Sequence, residues 1–313
     1  MEFFHKVTTF PFMHTRRRWY AVSAVAIIAS AILLATRGLN LGIDFTGGVE
    51  VEFSYPHAAD LAKAREALEK AGFEKAEVST IGSPNDVLVR LPPQEHADVK
   101  AIGASVTTAL QSVAPDVELR RSDLRGAQIG DELKNQGVSA VMLTFLLVGV
   151  YTWFRFQWKM GLSAVVATLH DPIIILGFFA AMRDYLVFDL SVLAAVLAVI
   201  GYSLNDTVVV FDRVRDNFHS MRRSTPEEVL DASINQTLSR TIITSGATLL
   251  VVIVLLIFGG ETLKGFSWAL TMGILVGTYS SIYVAGAMSL ELGLCARDLM
   301  PPQDDKEKVD ALP

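Results

Sequence analysis

The segment from Gly201 to Phe211, Gly-Tyr-Ser-Leu-Asn-Asp-Thr-Val-Val-Val-Phe, places the carboxylate of Asp206 inside an apolar run long enough to cross a membrane. An ionised aspartate at a bilayer centre costs about 2.5–3.5 kcal/mol, so such residues usually face a protein interior or a water path and mark ion or proton movement. Counted back from Phe211, Asp206 lies roughly 8 Å inside the run. A helix end is the alternative explanation, because charged residues follow within two turns. Position favours a functional role for Asp206.

Composition predicts a membrane protein with one substantial soluble insert. Hydrophobic residues make up 51% and charged residues 19% of the 313 residues, and the mean hydropathy is +0.39. Six apolar runs are long enough to cross about 30 Å of hydrocarbon. The predicted transmembrane helices are 19–39, 137–155, 161–182, 186–211, 241–259 and 266–292. The single cysteine, Cys295, excludes an internal disulfide.

The distribution of basic residues predicts the orientation in the membrane. They precede the first span, separate the second from the third and follow the fourth: Arg16, Arg17, Arg18, Arg155, Lys159, Arg213, Arg215, Arg222 and Arg223. By the positive-inside rule these segments are cytoplasmic. The prediction is a cytoplasmic N-terminus (1–18), a periplasmic domain (40–136), a cytoplasmic loop with an amphipathic helix (212–240) and a cytoplasmic tail (293–313). The net charge of −6 argues against a nucleic-acid partner.

The insert shows the order of elements of a small α+β domain. Alternating or apolar segments predict strands, and helix-forming segments lie between them. The predicted order is strand 49–53, helix 60–71, strands 77–81 and 87–91 separated by a turn at 82–86, helix 97–113 and strand 117–121. This β-α-β-β-α-β order is that of a ferredoxin-like domain. His57 and His96 stand singly near helix starts, where a capping role is favoured over metal binding, so no metal site is expected.

The third predicted span also contains ionisable residues. His170 and Asp171, followed by Pro172, lie roughly 14 Å from the start of the span with apolar sequence on both sides. Their side chains are too short to reach the membrane surface. A proline-assisted kink, with the polar pair satisfying freed backbone groups, is the alternative to a functional role.

Arg240 lies at the start of the fifth predicted span. The hydroxyl, proline and acidic residues at 224–228 favour a helix that runs through Arg240 into the membrane. Taken alone, Arg240 is better explained as a basic flank whose side chain reaches lipid phosphates. Three consecutive spans nevertheless carry ionisable groups in their inner halves. This pattern suits a proton relay, since the membrane potential supplies about 2.3 kcal/mol per charge per 100 mV.

The sixth span carries small residues at strict four-residue intervals. They are Gly273, Gly277, Ser281, Ala285 and Ser289. Such a face lets another helix approach closely. It predicts tight helix packing, either within the bundle or against another subunit.

Four motifs together resemble the SecF family of the bacterial SecDF protein-export complex, within the resistance-nodulation-division superfamily. They are Gly42-Ile-Asp-Phe-Thr-Gly-Gly48, His170-Asp171, Gly201-Tyr-Ser-Leu-Asn-Asp-Thr207 and Arg240-Thr-Ile-Ile-Thr-Ser245. The resemblance covers almost the whole chain in the expected order. It implies an α-helical polytopic membrane protein of six transmembrane helices, half of a resistance-nodulation-division-type transporter, with a ferredoxin-like periplasmic domain between helices 1 and 2.

The resemblance also implies a function in the bacterial inner membrane. Members use the proton gradient, without another cofactor, to help unfolded secreted polypeptides through the SecYEG channel. They act with a SecD-like subunit and with YajC and YidC-type proteins. Asp206 and Arg240 match the family's proton-path pair, with Asn205, His170 and Asp171 as further candidates for the path. Gly42, Asp44, Gly47 and Gly48 match the signature at the outer end of helix 1.

Two other classes of function stay open at this point. A small-molecule or lipid exporter half of the same superfamily would share the six spans, although such proteins usually carry both halves in a longer chain. A purely structural translocon subunit would use the buried acids only to hold helices together. An intramembrane protease is disfavoured because no His-Glu-x-x-His or Gly-x-Gly-Asp motif is present, so no enzymatic activity is expected.

Overall fold

A computed structural model describes residues 8–81, 83–92, 99–125 and 127–299. Within these residues six helices are long and apolar enough to cross a membrane, and a small sheet domain follows the first of them. In chain order the elements are α1 (Arg16–Thr36), α2 (Ile43–Thr46), β1 (Gly48–Ser54), α3 (Leu61–Lys70), β2 (Glu77–Ile81), β3 (Ser83–Leu91), α4 (Val99–Gln111), β4 (Glu118–Arg125), α5 (Ala127–Arg155), α6 (Trp158–Ala181), α7 (Leu190–Ser220), α8 (Pro226–Phe258), α9 (Gly260–Ser280), a π-helical segment (Ser281–Gly286), α10 (Ala287–Glu291) and α11 (Ala296–Leu299).

The sheet domain has the predicted ferredoxin-like topology. Its strand order is β2-β3-β1-β4 and all three pairings are antiparallel. Inward-facing residues of β1 alternate along the strand and pack with α3 and α4, so Val49, Val51 and Phe53 are buried with Leu68 and Leu110. The domain therefore has a core of its own on one face of the sheet.

The start of β3 differs from the sequence prediction. Residues 83–86, predicted as part of a turn, belong to β3, where Ser83 pairs with Ile81 next to a register irregularity. Their turn-forming residues suit that irregularity as well as a loop. Residue 82, the first residues of the predicted helix 97–113 and His96 lie outside the described residues.

Helix α3 begins at a conventional cap. The Asp60 carboxylate accepts hydrogen bonds from the backbone N–H groups of Ala62 and Lys63 at 3.1 and 3.3 Å. The Lys63 N–H is the main cause that holds the pKa of Asp60 below its usual range. The cap fixes the start of the helix that the sequence predicts at residue 60.

The segment 212–240 contains the predicted helix as the start of α8, and α7 extends further into this segment than predicted. Helix α7 continues to Ser220 and α8 starts at Pro226, because hydropathy marks where a helix leaves the membrane and not where it ends. The start of α8 is a capping box: Thr225 Oγ1 accepts from the Glu228 N–H at 3.3 Å, and the Glu228 carboxylate accepts from the Thr225 N–H at 2.8 Å. The start of the helix agrees with the prediction from residues 224–228.

The helices are not equally buried. Helices α6, α7 and α9 form the centre of the bundle, whereas most of the surface of α1, α5 and α8 is exposed. Two apolar clusters fill the two ends of the centre. Phe179, Phe188 and Val192 belong to the cluster near the sheet domain, and Phe211 and Phe218 belong to the cluster at the opposite end. The carboxylates described next lie between these clusters on the central helices.

Candidate functional site

Asp206 lies near the middle of α7 and its side chain is buried. The residue is 4% exposed, and its Oδ2 atom has no hydrogen-bond partner among the described residues. The polar groups that act on its carboxyl come from α8, namely the Ser245 hydroxyl and the Arg240 guanidinium. A buried polar atom without a partner is costly. Asp206 is thus an incompletely satisfied acid on which the charge of Arg240 acts, although no ion pair within 4 Å joins the two among the described residues.

Arg240 and Asn205 differ from Asp206 in their exposure. Both lie on the surface of this chain. The structure therefore places Arg240 so that its charge acts on Asp206, whereas Asn205 does not share the buried surroundings of its neighbour. The charged end of the site opens onto the surface of the chain.

A row of hydroxyl groups joins three helices beside Asp206. The Tyr202 hydroxyl of α7 donates to Ser245 Oγ of α8 at 3.0 Å. Ser245 Oγ in turn lies 2.9 Å from Thr278 Oγ1 of α9. These hydrogen bonds hold α7, α8 and α9 in register at the level of the acid.

A second buried acid lies on α6. Asp171 is 0% exposed and His170 is 3% exposed. His170 Nδ1 lies 2.9 Å from Asp171 Oδ1, and the hydroxyls of Ser203 and Ser280 donate to Oδ2 at 2.5 and 2.9 Å. His170 Nε2 has no hydrogen-bond partner among the described residues. Asp171 therefore connects α6, α7 and α9.

The two acids are linked through α7 and not by direct contact. Ser203, which binds Asp171, precedes Asp206 by one helical turn. The Thr207 hydroxyl donates to the Ser203 carbonyl at 3.2 Å. No hydrogen bond joins Asp171 and Asp206 in the part of the chain that the structure describes. The predicted proton-path residues thus form two adjacent groups, one around Asp171 and one around Asp206, and both groups contact α7.

The glycine-rich signature lies away from both acids. Gly42, Asp44 and Gly47 belong to the link between α1 and β1, and Gly48 is the first residue of β1, at the end of the bundle that carries the sheet domain. Asp44 Oδ2 accepts from the backbone N–H of Leu190, the first residue of α7, at 3.3 Å. That point is roughly 24 Å along the helix from Asp206. The signature touches the helix of the acid but not the acid itself.

The small residues of α9 pack inside the chain. A Cβ atom added at Gly273 would overlap the Val199 side chain of α7, and one at Gly277 would lie 3.1 Å from Ser203 Cβ. Ser281 is buried and begins the π-helical segment. A π-helical turn shifts the helix register, so the regular four-residue spacing does not continue as one straight face beyond Ser281.

Comparisons with known proteins agree on one family. Residues 105–294 match the family described as "Protein export membrane protein SecD/SecF, C-terminal", and residues 32–55 match the "SecD/SecF GG Motif". The protein translocase subunit SecF of Vibrio alginolyticus is 45% identical over 96% of each chain. This chain belongs to the SecF family of protein translocase subunits.

Other SecF relatives match over similar lengths. The subunit of Pseudomonas aeruginosa is 44% identical over 98% of this chain and 99% of its own. That of Escherichia coli O157:H7 is 39% identical over 94% of this chain and 92% of its own. The chain is a multi-pass membrane protein and a transport component of this family.

Solved SecDF structures share the fold of this SecF-family chain. SecDF of Thermus thermophilus, described as a translocon-associated membrane protein, matches with a TM-score of 0.83 and 34% identity. SecDF in a super-membrane-facing form matches with a TM-score of 0.67, also at 34% identity. Both matches cover 91% of this chain but only 39% of the SecDF chain. The matched SecDF chains are thus much longer than this one.

Several polar residues of this SecF-family site did not stand out in the sequence. Ser203, Ser280 and Thr278 hold the buried groups together, yet single hydroxyl residues are common in membrane helices, where they bind their own backbone. Spacing offers one signal. Ser203 lies one turn before Asp206 and therefore on the same side of α7. Among the described residues, no group of three or more His, Cys, Asp or Glu side chains is arranged to hold a metal.

Proposed function

We propose that this SecF-family chain is one half of a proton-driven transporter that assists the movement of secreted proteins through SecYEG. A SecD-like subunit supplies the other half. The chain lies in the bacterial inner membrane with both termini in the cytoplasm. YajC and YidC-type proteins are further proposed partners, and the proton gradient is the only energy source with no cofactor or enzymatic step.

One observation carries the proposal: Asp206 is a buried carboxylate with an unpartnered oxygen, and the charge of Arg240 on the next helix acts on it. A side chain that only held helices together would have its hydrogen bonds completed. An incompletely satisfied acid can take up a proton at modest cost, because burial favours its neutral form while Arg240 favours its charged form. Asp206 is therefore the group best suited to bind and release the transported proton.

Protonation of Asp206 changes its attraction for Arg240 and hence the relation of α7 to α8. A proton shifts an equilibrium only by its different affinity for two states. The ionised form favours the arrangement with Arg240 close, and the neutral form releases it. The movement of α7 against α8 is the step that links proton passage to protein export.

The exposure of Arg240 and Asn205 supports a second membrane subunit. Polar side chains in the middle of a membrane are costly when they face lipid. A SecD-like half that covers this surface would complete the surroundings of Asp206. The SecDF match supports this arrangement, because this chain corresponds to only part of that longer chain.

The test is a pair of matched variants on one helix. Asp206→Asn removes the ionisable group, and Asp216→Asn makes the same change at an exposed position of α7. Each variant is reconstituted with the SecD-like subunit and SecYEG in vesicles with an imposed proton gradient. Proton flux and gradient-dependent export should fall to the level of vesicles without the complex for Asp206→Asn and stay at the wild-type level for Asp216→Asn.

If the chain is a purely structural translocon subunit, the expected result for Asp206→Asn is the opposite. If the acids only hold helices together, Asp206→Asn keeps its shape and hydrogen-bonding oxygen, so flux and export remain unchanged. That result would remove the proton role from this chain.

A further inference from the structure

The link between α1 and β1, residues 39–47, lies against the start of α7, and we call it the strap. The Gly42 N–H donates to the Phe188 carbonyl at 2.9 Å, and the Phe188 N–H donates to the Asn40 carbonyl at 2.7 Å. Leu41 and Phe188 thus form a parallel bridge. The strap is joined through its backbone to the residues that directly precede α7.

Asp44 extends this connection to the helix itself. The first N–H groups of a helix have no partner within the helix. At the start of α7 two carboxylates supply partners: Asp189 Oδ1 accepts from the Val192 N–H at 2.9 Å, and Asp44 Oδ2 accepts from the Leu190 N–H at 3.3 Å. One of these caps belongs to α7, and the other comes from the strap.

An aromatic contact makes the connection stiffer. Phe45 of the strap is buried and stacks on Phe188, with ring centroids 5.9 Å apart. Phe188 packs in turn on Phe179 of α6. A bend of the strap away from α7 would expose these aromatic rings, and exposing buried apolar surface is unfavourable.

The other end of the strap runs directly into the central strands of the sheet. Gly47 and Gly48 have φ values of 68° and 116°, and a Cβ atom at Gly48 would overlap the Leu91 carbonyl of β3. Asn40 Oδ1 accepts from Arg90 Nη1 of β3 at 2.7 Å. No flexible linker therefore separates the sheet domain from the start of α7.

A second contact ties the domain to the bundle more weakly. Arg121 Nη1 of β4 donates to Thr262 Oγ1 of α9 at 3.0 Å in an exposed position. A single exposed side-chain bond constrains position much less than paired backbone bonds with a stacked ring. The strap is thus firmer than this side-chain contact, and the chain itself forms a further connection, since β4 ends at Arg125 and α5 begins at Ala127.

We propose that the strap makes the sheet domain and α7 move as one body, with Asp44 as the positioning residue at the joint. A displacement of the domain then moves Asp206 relative to Arg240 on α8, and a change at Asp206 moves the domain. This inference rests on the proposed function for its consequence, although the rigid connection itself does not. The two SecDF structures match this chain at equal identity and coverage but with TM-scores of 0.83 and 0.67, so they differ in shape over the matched part.

The first experiment measures coupling in reconstituted complexes. Asp44→Ala removes the acceptor at the Leu190 N–H, Asp44→Asn keeps an oxygen acceptor, and Asp184→Ala removes an exposed carboxylate that pairs with Arg37 near the same end of the bundle. We expect export per transported proton to fall about fivefold or more for Asp44→Ala and to stay close to wild type for the other two. An unchanged ratio for Asp44→Ala would overturn the proposal.

The second experiment measures the rigid connection by distances within the chain, so its readout does not depend on export. Spin labels replace two exposed residues, Glu69 on α3 of the domain and Arg213 on α7, in a Cys295→Ser background. The distance distribution between them should be narrow in wild type and broad in Asp44→Ala, whereas a pair on Glu69 and Leu250 of α8 should vary with the gradient. A broad wild-type distribution would overturn the proposal. If the wild type transports no protons while its distribution is narrow, the proposed function fails and the rigid connection stands.

Discussion

Two buried carboxylates in neighbouring helices differ in how completely they are satisfied. Asp171 accepts or shares hydrogen bonds with His170, Ser203 and Ser280. Asp206 has one oxygen without a partner in the described part of the chain. A fully bonded acid is held in one state, whereas an incompletely bonded one can exchange a proton at lower cost. At the residue scale, Asp171 is thus suited to fix helices and Asp206 to respond to the gradient.

Truncation of Asp171 should therefore reduce stability. Asp171→Ala removes the buried acceptor of the Ser203 hydroxyl, at a cost of about 1–3 kcal/mol, whereas Ser280 Oγ keeps the Gly277 carbonyl at 3.2 Å as an acceptor. Unfolding of the purified chain by denaturant in detergent measures this loss. Ser280→Ala removes only one donor and should cost less, about 1 kcal/mol. Equal stabilities of wild type and Asp171→Ala would show that the cluster does not hold the helices.

The sequence revealed the acids of the site but not their partners. Asp206, His170 and Asp171 stand out because an ionisable group in an apolar run is costly wherever the helix packs. Ser203 and Ser280 do not stand out, because a membrane serine can satisfy its hydroxyl within its own helix. Only the packing of α6, α7 and α9 shows which serines turn towards Asp171.

The contact of α9 with α7 depends on the absence of side chains. Gly273 lies directly against Val199, which belongs to the apolar cluster near the sheet domain. The π-helical segment begins one residue after Ser280, so the change of helix register coincides with the residue that binds Asp171. At the element scale, α9 is a close-packed support for the helix that carries Asp206.

Substitution of Gly273 should separate the two helices. Gly273→Val forces α7 and α9 apart or displaces Val199, and overpacking of this kind typically costs about 1–3 kcal/mol. Gly246→Ala is the control, because nothing lies within 4 Å of a Cβ atom at that position of α8. Thermal unfolding in detergent should show a lower midpoint for Gly273→Val and no loss for Gly246→Ala. The close contact would be unimportant if both variants matched the wild type.

The chain exposes a polar residue, Asn205, within a helix long and apolar enough to cross a membrane. Asn205 is exposed although it adjoins the buried Asp206. Trp153, by contrast, is exposed near the end of α5, where an indole suits the lipid interface. At the scale of the molecule, the surface around Asn205 is therefore the one that a second subunit should cover.

Photo-crosslinking distinguishes the two surfaces. A photoreactive amino acid in place of Asn205 should capture the SecD-like subunit in assembled complexes, whereas the same group in place of Trp153 should react mainly with lipid. Gel analysis of the crosslinked products provides the measurement. Capture of the SecD-like subunit from Trp153 alone would place the interface on α5 and contradict the assignment.

The sequence by itself determined the six spans, the order of the sheet domain and the positions of the costly acids. The free energy of moving a residue out of water is mainly a property of that residue and its close neighbours, so it can be read along the chain. The same local signal could not show that α7 continues to Ser220, because a helix continues beyond the membrane without any change that hydropathy detects.

The tertiary structure decided which acid is satisfied, which helix the glycines of α9 contact and what the glycine-rich signature holds. Each of these depends on groups that are distant in sequence, such as Asp44 at the start of α7 or Ser280 beside Asp171. The energy of a buried polar group is set by the donors and acceptors that surround it. Those partners come from other helices, and only the packed bundle brings them within hydrogen-bonding distance.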